Sequence, residues 1–131
     1  MNKNAIILID SDRSDESSPL GVTKDRIIEE IENIGATAWV TKGKEIENYL
    51  PAAALAEWLT IDDVDQVGKY DNFIKYLNSI NEREGERYTR EKPLKAEQII
   101  PHMTKENIRS VLDMAERLEE ICKIIRRWNK I

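Results

Sequence analysis

The run Ala5-Ile6-Ile7-Leu8-Ile9 stops abruptly on Asp10-Ser11-Asp12-Arg13, and this junction constrains the fold more than any other segment. An unbroken apolar run rich in β-branched residues predicts a strand buried on both faces, as in parallel sheets. In open α/β sheets, chemistry gathers just past the carboxyl ends of such strands. Asp10 and Asp12 stand there two residues apart, so extended backbone would turn both carboxylates to one side. Two like charges held close call for a shared proton or a cation between them. Oxygen-only ligands point to Mg²⁺ or Mn²⁺. The plainer alternative is a strand end followed by a polar turn, since Asp and Ser are ordinary turn residues.

A second strand is expected at Thr37-Ala38-Trp39-Val40-Thr41. Between the two lies a helix with Thr23 as N-cap, Val22 and Ile27 as a hydrophobic staple, and Ile27, Ile28, Ile31 and Ile34 as its apolar stripe. Gly35 follows where a left-handed stop is favoured. Residues 5–41 thus read as a β-α-β unit with a right-handed crossover. Two strands are too few for a stable open sheet. The rest is expected either from sequence upstream, the favoured reading, or from another chain.

The remainder reads as helical. Expected are a short helix at 51–59 opened by Pro51 and an acidic irregular stretch at 60–68. A helix follows at 71–80 with Phe73, Ile74, Leu77 and Ile80 on one face, and then a mobile loop or frayed helix at 81–92. A short helix at 94–100 ends before Pro101. From Thr104 as N-cap, Ile108, Val111, Leu112, Ala115, Leu118, Cys122 and Ile125 predict one helix of about six turns, with Cys122 buried in its stripe. A core helix is the reading, with a partner-binding or coiled-coil helix as the alternative. The organisation expected is residues 1–60 as the β-α-β core carrying the acidic site and 61–131 as a helical extension of the same domain.

Bulk properties exclude more than they assign. A chain of 131 residues is one domain. A net charge of −5 gives no global case for nucleic-acid binding, which must rest on a local patch or on metal ions. A single cysteine excludes an internal disulfide and a multi-cysteine zinc site. Met1-Asn2-Lys3-Asn4 shows no signal-peptide pattern, and no apolar run approaches the roughly 20 residues that span a bilayer. The expectation is a cytoplasmic protein with no membrane partner. His102, Trp39, Trp58, Trp128 and the Arg126-Arg127-Lys130 cluster read as surface, packing and helix-end residues.

Thr41-Lys42-Gly43-Lys44-Glu45-Ile46-Glu47-Asn48-Tyr49-Leu50 follows the second strand and so emerges on the same sheet edge as Asp10 and Asp12. Neighbouring parallel strands lie about 4.8 Å apart, close enough for groups past their ends to share one site. Glu45 and Glu47 would add carboxylate ligands if the segment stays extended. Lys42 and Lys44 would bring positive charge toward a phosphate or a developing oxyanion. Alone, the segment reads equally well as a solvated mixed-charge loop.

Together the two segments resemble the Toprim domain of the OLD (overcoming lysogenization defect) nucleases, ATPase-coupled endonucleases of bacterial and phage-defence systems. The resemblance rests on Asp-x-Asp-Arg after an apolar strand and on Lys-x-Lys-Glu-Ile-Glu-Asn-Tyr-Leu after the next; it covers residues 5 to 59 and, more loosely, the tail. It implies a partial Toprim-like, Rossmannoid α/β sheet. Asp10 and Asp12 would be metal ligands, Glu45 or Glu47 the acidic residue after the next strand, and Lys42 or Lys44 the transition-state lysine. The implied reaction is Mg²⁺-dependent (or Mn²⁺-dependent) hydrolysis of a DNA phosphodiester. Toprim domains also place a catalytic Glu on an earlier strand, which is not in this sequence. The chain is therefore expected to be a C-terminal part, inactive alone, with a homo-oligomer left open. No Gly-x-x-x-x-Gly-Lys-Ser/Thr loop is present, so ATP would act only through a separate ATPase domain or subunit.

Two rival readings stand beside it. Asp10-Ser11-Asp12 also resembles the first motif of haloacid-dehalogenase-like phosphatases, with Asp10 as nucleophile, Asp12 as general acid/base and Asp62-Asp63 as a second metal motif. Ser14 stands where that family has Thr or Val. The other rival is a non-catalytic interaction module held to partners through the last helix.

Overall fold

The computed structural model describes residues 3–130; Met1, Asn2 and Ile131 lie outside the described residues. Two parallel strands open it, β1 (Ile6–Ile9) and β2 (Thr37–Val40), paired Ile6 to Thr37 through Ile9 to Val40. Helix α1 (Val22–Asn33) connects them. Further α-helices follow among the described residues: α2 (Ala52–Leu59), α3 (Phe73–Ile80), α4 (Glu84–Arg90), α5 (Lys92–Ile99), α6 (Lys105–Ile108) and α7 (Met114–Trp128). The architecture is therefore mixed α/β with a two-stranded parallel sheet and mostly helix. No helix among the described residues is long and apolar enough to cross a membrane.

The helical half holds the principal core. Leu55, Val67, Phe73, Leu77, Tyr88 and Ile99 form one buried cluster. In α3, Phe73 and Leu77 stand four residues apart and so share the inward face. Phe73 meets the Tyr88 ring edge-on, with centroids 4.9 Å apart. Burying each such side chain contributes roughly 1.5–3 kcal/mol. The α2 sequence Ala-Ala-Ala-Leu-Ala-Glu-Trp-Leu combines high helix propensity with small side chains, and Ala54, Leu55 and Ala56 are buried.

Several sequence expectations need correction. β1 is not buried on both faces: Ile7 is 37% and Leu8 43% exposed, because only β2 pairs with it. The cap of α1 is Gly21 rather than Thr23, and Val22 stands in solvent, so no staple forms. Ile27 and Ile34 are also exposed; Ile31 carries the buried contact. Gly35 does end the helix, at φ 82°. Residues 81–92 are ordered by α4, which packs back on α3.

The last apolar stripe is two helices, not one. Thr104 caps α6, its side chain accepting from the Asn107 N–H at 3.0 Å. The chain then turns at Leu112, φ 48°, before α7. The turn buries Val111 and Met114 and sets Leu112 against Gly43. Such packing overrides a helical pattern that sequence alone continues. Cys122, expected inside, is exposed on α7.

The α3–α4 pair crosses closely because residue 85 is glycine: a Cβ there would run into the Ile74 carbonyl oxygen. Gly85→Ala should therefore destabilise by roughly 1–3 kcal/mol as an overpacked contact. Gly21→Ala, with open space around it, should change stability by less than about 0.5 kcal/mol. Urea unfolding of the two variants checks the difference, and equal midpoints would refute the tight crossing.

Candidate functional site

Backbone interlocking at the two strand ends builds the site. The Ser11 N–H donates to Thr41 Oγ1 at 2.9 Å, and the hydroxyls of Ser11 and Thr41 both donate to the Gly43 carbonyl, at 2.6 and 2.9 Å. The Asp12 N–H donates to the Lys44 carbonyl at 2.8 Å. These bonds bring the segment after β1 against the segment after β2. Asp10 then accepts from the Ile46 N–H, Oδ1 to N 2.8 Å.

Residues 45–50 do not stay extended. Glu45 caps a single 3₁₀ turn, Ile46–Tyr49, and each residue of the string reaches a different part of the chain. Glu45 Oε1 accepts from the Phe73 N–H at 3.3 Å. Glu47 accepts from the Tyr88 hydroxyl at 3.1 Å and pairs with Lys92. Asn48, wholly buried, accepts from the Glu45 N–H and donates to the carbonyls of Gly68 and Asp71. Tyr49 accepts from the Lys42 N–H at 2.9 Å and donates to Asp113 at 2.6 Å. Burial and Asp113 push the Tyr49 hydroxyl up to about 12, so it remains a neutral donor. Leu50 accepts through its carbonyl from Gln66 at 2.8 Å.

Asp10, Glu45 and Glu47 therefore share one electrostatic neighbourhood. Burial raises the Glu45 carboxyl above its ordinary value, and the negative charges of Glu47 and Asp10 push it further up. Lys92 is the cation that answers them; its hydrogen bond to Glu47 raises its own value. Glu45, Glu47, Tyr88, Thr89 and Lys92 line a pocket of about 210 Å³. Glu47 has 5% of its side chain exposed, and its second oxygen, Oε2, is buried with no hydrogen-bond partner. An orphaned buried carboxylate oxygen is costly.

The other residues singled out by sequence lie elsewhere. Asp12 adopts φ 55°, leaves its side chain 62% exposed and pairs with Lys24, so its carboxylate has a different partner from that of Asp10, which accepts from the Ile46 N–H. Lys44 joins the site through backbone bonds, its N–H donating to the Lys69 carbonyl at 2.9 Å. Lys42 is exposed and acts on Glu16. Asp62 and Asp63 are exposed after α2, and His102 lies beside Glu57, Nδ1 to Oε2 2.9 Å. Lys92 and Tyr88 have no local sequence signal: they sit more than forty residues from Glu47, and only tertiary packing joins them.

Among the described residues, no three His, Cys, Asp or Glu side chains converge as a ready-made metal cage. The donors present still suit a hard cation that keeps most of its waters, since Mg²⁺ takes one or two protein carboxylates in many sites. The chain matches no family model, no curated protein and no solved structure.

The raised Glu45 value has a testable sign. A folded-state value above the unfolded one stabilises the protein at low pH and loses that contribution as pH rises through the folded value. In metal-free buffer, Glu45→Gln should therefore be more stable than the parent at pH 7, with the difference shrinking toward pH 4 as Glu45 protonates. Urea midpoints at both values decide it; a variant less stable at pH 7 would contradict the burial argument.

Proposed function

We propose that the chain carries the acidic part of a Toprim-like site and serves Mg²⁺-dependent hydrolysis of DNA phosphodiester bonds in an OLD-type, ATPase-coupled endonuclease. One observation carries the reading: Glu47, buried on the 3₁₀ turn after β2 and acting with Asp10 on Glu45, keeps one oxygen without a partner. The sequence resemblance implies Asp10 and Asp12 as ligands with Glu45 or Glu47 as the acidic residue after the next strand, so Asp10 and one of the two glutamates are common to both. The donor set is all oxygen, which suits Mg²⁺ or Mn²⁺. Asp10 and Glu47, with Glu45 beside them, would hold the ion. Bound there, the metal would polarise a phosphoryl oxygen and lower the pKa of a water.

The chain's own groups divide the remaining work. Lys92 offsets the carboxylate charge and offers a cation to a phosphate entering the pocket. Tyr88 fixes Glu47 by its hydrogen bond; burial and the adjacent Glu47 keep its hydroxyl protonated well above its ordinary value. Lys42 and Lys44 keep the role that the resemblance implies only if DNA draws their side chains in. Asp12 would join the ligands by exchanging Lys24 for the metal. The further catalytic Glu that the resemblance implies is not among the described residues, and ATP would act from a separate domain or subunit.

The phosphatase alternative is less well supported at its second metal motif: Asp62-Asp63 lie exposed after a helix instead of a strand.

Manganese binding followed by electron paramagnetic resonance tests the site without requiring turnover. Asp10→Asn and Glu47→Gln should each weaken Mn²⁺ by about tenfold or more, at least as much as losing an outer-shell partner. Asp12→Asn should have a smaller effect. In the assembly as purified from cells, Mn²⁺-supported nicking of supercoiled plasmid should vanish in the first two variants. Equal Mn²⁺ affinity in all four proteins would sink the reading.

A further inference from the structure

Helix α7 presents a seam that its own chain leaves open. Ala115, Leu118, Cys122 and Ile125 repeat at three-, four- and three-residue steps, the spacing of two a and d pairs in a coiled coil. Leu118 is 36% and Ile125 42% exposed, and Cys122 is exposed too. Met114, by contrast, is buried, so α7 rests on the molecule by its other flank. Ile108, Ala115, Leu118 and Cys122 floor a groove of about 690 Å³ between α6 and α7, rimmed by Lys105, Arg109, Glu119, Lys123 and Arg126.

The charges along α7 are polarised. Glu116, Glu119 and Glu120 occupy its first half together with Arg117, which is tied to Asp113 and Glu120. Lys123, Arg126 and Arg127 occupy its second, so the first half stays net acidic and the second basic. Two such helices side by side in parallel would set like charges against like. Run antiparallel, they bring each acidic half against the other's basic half. With Leu118 and Ile125 at d positions, Glu119 and Arg126 both fall at e, and e faces e across an antiparallel pair. The same face thus complements itself, as a two-fold interface requires. Within the helix, Glu119 pairs with Lys123 at 3.5 Å, but an exposed ion pair of this kind is of little worth and competes weakly.

We propose that the α6–α7 groove is a homodimer interface in which α7 of a second copy of this chain packs antiparallel, crossing near Cys122. The fifteen residues of α7 span about 22 Å. One helix and a groove wall per side make a small interface, so the dimer forms and dissociates with protein concentration. Lys105 and Arg109 cover the far edge of the apolar floor with their stems and keep their charges in water.

Sedimentation equilibrium of the full chain should show mass rising from 15.2 kDa toward twice that value with concentration. The double variants Glu116→Lys/Glu119→Lys and Lys123→Glu/Arg126→Glu should each dimerise at least about tenfold more weakly, since like charges then meet. Their equimolar mixture should associate again, which a merely misfolded variant cannot do. A short thiol cross-linker should join Cys122 to Cys122 in the parent and in the mixture but not in either variant alone. A parent that stays monomeric, or a mixture no tighter than its components, overturns the proposal. So does a monomeric parent whose DNA affinity falls on Lys105→Glu/Arg109→Glu, which would make the groove a nucleic-acid surface.

Discussion

Asn48 is the residue on which the arrangement turns. Its amide is wholly buried and uses both ends: the oxygen accepts from the Glu45 N–H at 2.9 Å, and the nitrogen donates to Gly68 and Asp71 at 2.7 and 3.0 Å. One side of that junction is the loop after β2; the other is the entry to α3, whose Phe73 and Leu77 anchor the main core. A two-stranded sheet is marginal alone, so the strands take their support from the helical half through this amide and its neighbours. An apolar residue at 48 would take the partner from the Glu45 N–H and the Asp71 carbonyl and leave the Gly68 carbonyl only the Asp71 N–H, at a cost for each bond lost.

The same dependence explains why residues 45–50 stand out as a string in the sequence. Their pattern suggests chemistry, yet most of them act as joints: Glu45 to Phe73, Asn48 to Gly68 and Asp71, Tyr49 to Lys42 and Asp113, Leu50 to Gln66. Glu47 departs from that pattern. Its Oε1 takes the Tyr88 hydroxyl and Lys92, whereas its Oε2 is buried without a hydrogen-bond partner.

Legibility follows the range of the forces involved. The strands, α1 with its glycine stop, α2, α3 and the Thr104 cap are readable because local propensity, period and capping decide them. Apolar content at Ile7 and Leu8 is visible in the sequence, but not whether a neighbouring strand covers them. The break at Leu112 is hidden because Ile108, Val111, Leu112 and Ala115 keep helical spacing straight through it. Asp12 looks paired with Asp10 on the assumption of extended backbone; one left-handed residue turns it to Lys24 instead. Lys92 is invisible for the opposite reason, since nothing in a distant helix start marks it as the partner of Glu47.

On the proposed reading, the electrostatic balance at the strand ends favours an added cation over a finished ion pair. Glu47 and Asp10 both act on Glu45 there, and Lys92, itself half exposed, pairs with Glu47 and feels the other two at longer range. A buried acid with a single exposed partner is weakly compensated, because the attraction is screened on the lysine side while desolvation falls on the glutamate side. Such a site gains from binding positive charge, and the gain is largest at Glu47 Oε2, which has least to lose. The residues that hold it in place, Tyr88 and the backbone joints of the 3₁₀ turn, do not themselves need the metal. The carboxylate is therefore preorganised, and a bound ion would gain affinity because the folded chain has already ordered its ligand.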